Sequence, residues 1–364
     1  MWGRWNAAAF RELISGRRRG VAPAILRGAL RLAEVPYTLA VNWRNRRYDR
    51  GPRKVPEPGI LVLSVGNLTL GGTGKTPLVK WLARWFRARG ARVAIVSRGY
   101  GADAGQPNDE ARELAQALPE VPHVQNPDRV AATRQAIEQF GSQVILLDDA
   151  FQHRRMPRHL DLVLLDALEP FGFDHVFPRG TLREPVEGLR RAHIVCLSRA
   201  DLVSPHERAV IRERAMKIAN HAIWCELAHV PTGLVSAARQ GHPLSLLAGK
   251  RVAAFCGIGN PTAFRHTLSA IGCELVAWRE FPDHHAFSGD DLAALDQLAA
   301  QSDAEFLICT EKDVVKWTRT EIGGRPLLAI AVDIRFLSGG EELAQVLQSA
   351  LRFSDILDRM PEER

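Results

Sequence analysis

An apolar strand that runs directly into a glycine-rich loop ending in Gly-Lys-Thr constrains this chain more than any other feature. Ile60–Val65 is continuously apolar, and Gly66-Asn67-Leu68-Thr69-Leu70-Gly71-Gly72-Thr73-Gly74-Lys75-Thr76-Pro77 follows it. Leu78, Leu82, Trp85 and Phe86 then recur on one side of a helix expected over 77–89. Strand, loop and helix in that order are the context of a phosphate-binding P-loop. Its glycines let backbone N–H groups curl around phosphate oxygens, and the helix N-terminus adds partial positive charge. Gly71, Gly72, Thr73, Gly74, Lys75 and Thr76 are therefore the expected nucleotide cradle. Lys75 is placed to reach the β/γ-phosphates, and Thr76 offers its hydroxyl to Mg²⁺. The general pattern wants glycine where this chain has Thr69, so Gly71 and Gly72 are expected to supply the turn.

A P-loop needs a carboxylate partner for the metal. Gln143–Leu147 is an apolar strand that ends in Asp148-Asp149, and ligands of open α/β sheets collect at such carboxyl ends. Asp148 and Asp149 are the expected metal pair, against the plainer reading of a helix cap or turn. Short apolar strands are expected near 92–97, 144–148, 160–165 and 193–197, with helices near 110–118 and 130–140. That alternation predicts an α/β fold: a parallel P-loop NTPase-type sheet covered on both faces. Residues 231–250 carry Gly, Pro and Ser with little periodicity and read as a hinge. The pattern restarts with strands near 251–256, 274–278, 305–309 and 327–332, and helices near 262–270 and 289–300. The expected organisation is a basic N-terminal segment over 1–54, a P-loop domain over 55–230 and a smaller α/β domain over 251–364 with a C-terminal helix. The segment 1–54 is expected to belong to the larger domain.

The charge is uneven. Residues 1–54 hold thirteen basic and three acidic residues, a net +10 in a chain whose total is +7. A basic arm on a near-neutral body suggests a polyanion, nucleic acid or an anionic membrane surface; a solvated tail is the plain alternative. Within it, Ile25, Leu26, Ala29, Leu30, Leu32, Ala33 and Tyr37 recur at near-helical spacing, followed by Trp43 and by Arg44, Arg46, Arg47 and Arg50. An apolar face, an interfacial aromatic and a basic edge describe a helix lying in a membrane interface; a helix packed on the protein's own core is the alternative. Arg27, Arg31 and Glu34 make the segment a poor spanning helix. The five cysteines are dispersed and sit in apolar runs, which fits buried reduced thiols.

The P-loop alone does not choose a reaction. A guanine-reading Asn-Lys-x-Asp motif has only a degraded counterpart in Ser198-Arg199-Ala200-Asp201, so a GTPase or metallochaperone-like switch is the runner-up. The remaining motifs occur in a characteristic order. They are Ser97-Arg98-Gly99-Tyr100-Gly101, Asp109-Glu110, Asp128-Arg129-Val130, Asp148–Arg154, Pro178–Pro185, Gly257–Pro261, Phe281-Pro282-Asp283-His284-His285 and Thr310-Glu311-Lys312-Asp313. With the P-loop they make the chain, over about residues 20–335, resemble the tetraacyldisaccharide 4'-kinases, the lipid A 4'-kinases of Gram-negative bacteria. Thr69 in place of glycine is shared by that family.

The resemblance implies transfer of the ATP γ-phosphoryl group, with Mg²⁺, to the 4'-hydroxyl of an acylated glucosamine disaccharide 1-phosphate. It implies a peripheral enzyme at the cytoplasmic face of the inner membrane, with an anionic lipid surface as partner and no nucleic acid. A monomer is expected. It makes Asp109 the general base, assisted by Asp283-His284, with Lys75 and Arg183 as further catalytic groups. Arg98, Arg129, Glu110 and His153 become substrate-side candidates. Without the resemblance, Asp109-Glu110 reads as a charge pair in a first helical turn, and each arginine reads equally well as half of a structural ion pair. Asn108, Ala150 and Phe173 replace residues usual in the family, and the loop between Tyr100 and Asp109 is short. Thr310–Asp313 has no role assigned by sequence.

Overall fold

A computed structural model describes residues 7–51, 55, 58–99, 108–283 and 285–357. In chain order the helices and strands are α1 (Ala7–Ile14), α2 (Val21–Arg50), β1 (Leu61–Asn67), α3 (Lys75–Arg87), β2 (Val93–Ser97), α4 (Asp109–Ala117), β3 (His123–Gln125), α5 (Arg129–Phe140), β4 (Val144–Asp148), β5 (Leu160–Asp166), β6 (Ile194–Ser198) and α6 (Pro205–Ile218). They continue as β7 (Ile223–Ser236), β8 (Gly241–His242), β9 (Arg251–Cys256), α7 (Pro261–Ile271), β10 (Glu274–Glu280), α8 (Gly289–Gln301), β11 (Phe306–Thr310), α9 (Glu311–Val314), β12 (Glu321–Ile322), β13 (Arg325–Ser338) and α10 (Gly340–Leu357).

The chain divides into two units, 1–98 with 120–228 and 335–364, and 99–119 with 229–334. In the first, the strands run β7-β6-β5-β1-β4-β2-β3, and every neighbouring pair is parallel. β1 lies between β4 and β5, with Val65 opposite both Asp148 and Leu162. Every residue of β1, β4, β5 and β6 is buried, as a parallel sheet covered on both faces requires. Val163, Leu165, Val195 and Leu197 pack on one side with Ile211 and Ala215 of α6. Val62, Ile145 and Leu147 pack on the other with Ala132 and Ala136 of α5. In the second unit the order is β10-β9-β11-β13, again parallel, with β12 antiparallel on β13 and β8 antiparallel on β7.

The division differs from the expected boundaries in three places. Residues 99–119, expected in the P-loop domain, fall in the second unit, where α4 packs on α9. The segment 231–250 is not a linker: β7 is one strand of 14 residues running through its start, and β8 and a short 3₁₀ turn over Leu244–Leu247 fill the rest. Its low periodicity reflects a strand that passes from one unit into the other. Finally, 335–364 returns to the first unit, where Phe336 meets the Trp81 ring edge-on at 4.9 Å and Cys225 Sγ bonds the Gly339 carbonyl. Sequence reading also passes over α6. Its face is mostly polar, with only Ile211 and Ala215 buried; its signal was the capping box of Ser204 and Glu207 with Pro205 at the first turn.

α2 is a single 30-residue helix with Val41 as its one buried residue. Leu26 and Leu30, expected on the apolar face with Ile25 and Leu32, turn inward instead and are half-buried. The inner side is held mainly by polar contacts. Glu34 accepts from the Val176 N–H at 2.8 Å, Tyr37 donates to the Arg183 carbonyl, and Asn45 donates to Glu184 at 2.8 Å. Val21, Ile25, Leu32, Val35, Leu39 and Trp43 form an outward apolar line, each more than half exposed. Among the described residues, no helix is long and apolar enough to cross a membrane. The five cysteines are free, four of them buried.

Candidate active site

The loop after β1 is built as the spacing predicts, with one exchange of roles. Gly71 (φ 107°) and Gly74 (φ 81°) take the left-handed backbone, and Gly72 does not. Thr69 is tolerated where glycine is usual because this stretch is extended. It bridges to Leu182, and the flanking Leu70 N–H bonds the Thr181 carbonyl at 2.7 Å while the Arg183 N–H bonds the Leu68 carbonyl at 2.7 Å. Gly66 is required by contact: a Cβ there would meet Phe151 Cβ at 2.6 Å.

Lys75 opens α3, and its Nζ lies 3.4 Å from Asp149 Oδ1 and 3.4 Å from Asn67 Oδ1. Arg183 Nη1 lies 2.8 and 2.9 Å from the two Asp149 oxygens. Asp149 stands just past β4 at φ 50°, in the left-handed region. Desolvation would raise its pKa; Lys75 and then Arg183 overcome that and pull it down to about 2. Asp148, the last residue of β4, is buried. Thr76 sits in the first turn of α3. Thr76 and Asp148 offer hard oxygen donors of the kind Mg²⁺ takes together with phosphate oxygens. The Thr73 hydroxyl is buried without a protein partner among the described residues, as is Arg129 Nε. An orphaned hydroxyl in the glycine-rich turn and an orphaned guanidinium N–H whose electrostatic neighbours include Asp148 and Asp149 fit an incoming polyphosphate.

Arg129 opens α5 and is 97% buried by accessible area, 3% exposed. Burial and then Arg98 lower its pKa, against the pull of Asp149 and Asp148. Arg98 itself is exposed at the end of β2. His153 is driven down to about 4 by burial, then by Arg129 and Arg158, and is neutral at pH 7. Thus Lys75, Thr76, Asp148, Asp149, Arg183, Arg129, Arg98 and His153 all belong to the first unit.

Asp109, Glu110 and Asp283 belong to the second. Asp109 is the first residue of α4, which Asn108 caps by accepting from the Ala111 N–H at 2.9 Å. Lys316 Nζ lies 3.3 Å from Asp109 Oδ2, and Lys312 Nζ lies 2.8 Å from Asp283 Oδ1. Glu110 follows in the first turn, partly exposed. His284 lies outside the described residues. His285 pairs with Asp291 at 2.9 Å and stacks on Phe281, a structural arrangement.

Three positions in the first unit carry more than sequence reading assigned to them. Arg199, in the degraded Ser198–Asp201 motif, sits at φ 56° and bridges Asp166 to the Gly72 carbonyl, 2.9 Å from its Nη2. Glu184 is fully buried and takes Arg191 at 2.8 and 2.9 Å, Asn45 at 2.8 Å and Gln152 at 3.1 Å. Gln152 also donates to the Asn67 carbonyl at 2.9 Å. Sequence placed Gln152 in Asp148–Arg154, Glu184 in Pro178–Pro185 and Arg199 in the degraded Ser198–Asp201 motif, but gave none of them a partner.

A family model described as tetraacyldisaccharide-1-P 4'-kinase matches residues 26–352. The tetraacyldisaccharide 4'-kinase of Anaeromyxobacter dehalogenans strain 2CP-C is 40% identical over 353 residues, spanning 92% of this chain and 92% of that protein. The relative of the same name from Desulfatibacillum aliphaticivorans is 37% identical over 347 residues, 90% of this chain and 93% of its own. LpxK from Aquifex aeolicus, solved in complex with ATP, superposes with a TM-score of 0.71 at 26% identity, covering 90% of this chain and 99% of that one. With the P-loop cluster already in place, these likenesses settle the kinship: the chain belongs to the tetraacyldisaccharide 4'-kinase family.

Proposed function

We propose that this chain transfers the γ-phosphoryl group of ATP to the 4'-hydroxyl of a tetraacylated glucosamine disaccharide 1-phosphate, with Mg²⁺, in lipid A assembly. The observation that carries the reading is the Lys75–Asp149–Arg183 cluster at the loop of a chain matched by the kinase family over 26–352. Phosphoryl transfer needs little covalent help and much positioning and charge neutralisation. Lys75 and Arg183 bring two cations to the end of the loop, and Asp149 holds them in place of a mobile counter-ion. Arg129 adds a buried guanidinium whose Nε can donate to a phosphate oxygen. Thr76 and Asp148 would hold Mg²⁺, which supplies charge neutralisation of the polyphosphate. Asp109, paired with Lys316, is the general base that takes the 4'-hydroxyl proton, and Asp283 with His284 assists it.

The outward line Val21, Ile25, Leu32, Val35, Leu39 and Trp43, with Arg44, Arg46 and Arg47 at its end, supports peripheral docking on an anionic membrane, at the cytoplasmic face of the inner membrane. The inner side of α2, with Leu26, Leu30 and Val41, is held mainly by polar contacts, while the line from Val21 to Trp43 stays exposed, which weighs against a helix packed on the protein's own core. The GTPase reading loses its anchor, since Arg199 is committed to Asp166 and Gly72. The test is purified protein with γ-labelled ATP, Mg²⁺ and the disaccharide 1-phosphate. Labelled lipid is expected; none, under conditions where ATP binds, refutes the reading.

A further inference from the structure

The motif Thr310-Glu311-Lys312-Asp313 received no role from sequence, yet its Lys312 meets Asp283, and Lys316 just beyond it meets Asp109. Asp313 is fully buried. Its Oδ2 accepts from the Gly257 N–H at 2.9 Å and from the Thr310 hydroxyl at 2.7 Å. Its Oδ1 lies 3.4 Å from Lys316 Nζ. A carboxylate taken out of water needs a cation as well as neutral donors, and Lys316 is that cation.

Lys316 is itself nearly buried, its side chain 8% exposed. An ammonium has three N–H groups, and three acceptors surround this one: Asp313 Oδ1, the His285 carbonyl at 3.0 Å and Asp109 Oδ2 at 3.3 Å. Two of the three are fixed framework. The third is the carboxylate read above as the base. The Phe287 ring lies 5.4 Å from the same nitrogen and limits its sideways freedom. Gly257 completes the seat: a Cβ there would lie 3.1 Å from Asp313 Oδ1 and 3.2 Å from the Pro282 carbonyl. Four residues earlier, Lys312 holds Asp283.

We propose that Lys316 is a positioning residue for Asp109, and that Thr310–Lys316 is the clamp that fixes the acceptor-side carboxylates of this kinase. Asp313, Thr310 and Gly257 seat Lys316. Lys316 holds one Asp109 oxygen, so that the carboxylate is kept in a set orientation. This rests on Asp109 being the base.

The test compares Lys316→Met, Lys316→Arg, Asp109→Asn and the double variant Lys316→Met/Asp109→Asn, with labelled ATP and the disaccharide 1-phosphate. Lys316→Met is expected to lower kcat by about 10–100-fold, the scale of a misplaced reacting group, with KM for both substrates within about twofold. Lys316→Arg recovers part of the loss. The double variant is no slower than Asp109→Asn alone, because Lys316 acts only through that carboxylate. Full kcat in Lys316→Met with an inactive Asp109→Asn overturns the clamp and spares the base. A further additive loss in the double variant also overturns it. Full activity in Asp109→Asn overturns the base reading and the clamp with it. Should Lys316→Met not fold by thermal melt, Lys316→Gln takes its place in the same cycle.

Discussion

Arg199 offers the sharpest test of how the nucleotide loop is held. One nitrogen of its guanidinium reaches Asp166 and the other the Gly72 carbonyl, and both side chains are about a tenth exposed. Arg199→Met keeps the length and removes both prongs. Breaking one side of a buried pair costs about 3–5 kcal/mol because the partner charge is stranded. Slight exposure puts this case near the lower end. At roughly 2–4 °C per kcal/mol for a unit of this size, the melting temperature falls roughly 6–12 °C. Separately, Gly72 loses a charge-assisted hydrogen bond of about 1.5–3 kcal/mol. If that bond orders the loop for phosphate, ATP affinity falls about tenfold to a hundredfold. Arg199→Lys keeps the charge but not the fork, so it recovers stability better than affinity.

The two effects separate in a second variant. Arg199→Met/Asp166→Leu removes the stranded carboxylate, so thermal stability returns toward the starting value while ATP affinity stays low. The assays are a thermal melt and calorimetric titration with ATP. Unchanged ATP affinity in Arg199→Met, with the melting temperature down, refutes the idea that Arg199 orders the loop. So does full recovery of affinity in the double variant.

Three further outcomes follow from the same contacts. Glu184→Ala strands Arg191 and two amide donors and is expected to cost about 3–5 kcal/mol by urea denaturation; Glu184→Gln, which keeps an acceptor, costs less. His153 has a folded-state pKa of about 4, below its ordinary 6.5, so the fold prefers the neutral ring. Its contribution is intact above pH 6.5 and declines as pH falls toward 4; His153→Gln should lose less stability than the parent between pH 7 and pH 5. Leu32 and Leu39 are 76% and 64% exposed, so Leu32→Glu with Leu39→Glu should leave the melting temperature unchanged yet abolish cosedimentation with anionic vesicles.

The nucleotide half was legible because its chemistry is local in sequence. A strand, a run of glycines and Lys75-Thr76 occupy consecutive positions, and Asp148-Asp149 mark the end of an apolar strand whose parallel pairing brings them opposite Val65. Even here the division of labour among glycines was not. Gly71 and Gly74 need positive φ, while Gly72 needs only a carbonyl within reach of Arg199. Composition cannot distinguish a glycine chosen for its torsion from one like Gly72, where a Cβ would meet nothing within 4 Å. The unit boundaries were illegible for a related reason. β7 reads as an irregular stretch because its environment changes partway along, and α10 follows strands of the second unit while packing in the first.

What sequence missed has one physical character. Arg199, Glu184 and Lys316 are charged residues removed from water, and beside local partners such as Arg191 and Asp313 each has one far off in sequence: Asp166, Asn45 and Asp109, 33, 139 and 207 positions away. No periodicity records such a contact, because burial of a charge is decided by where the chain returns. The sequence does record its consequence. A charged residue in the turn after an apolar strand, as at Arg199 after β6 or Asp313 after β11, has an expensive position unless a partner is supplied. Such positions flank the groups proposed to hold phosphate and hydroxyl: Arg199 meets the Gly72 carbonyl, and Asp313 seats Lys316 beside Asp109. The proposed reaction calls for such positions: a site that orients charge without water must fix its own charges first, with residues that need not touch the substrate.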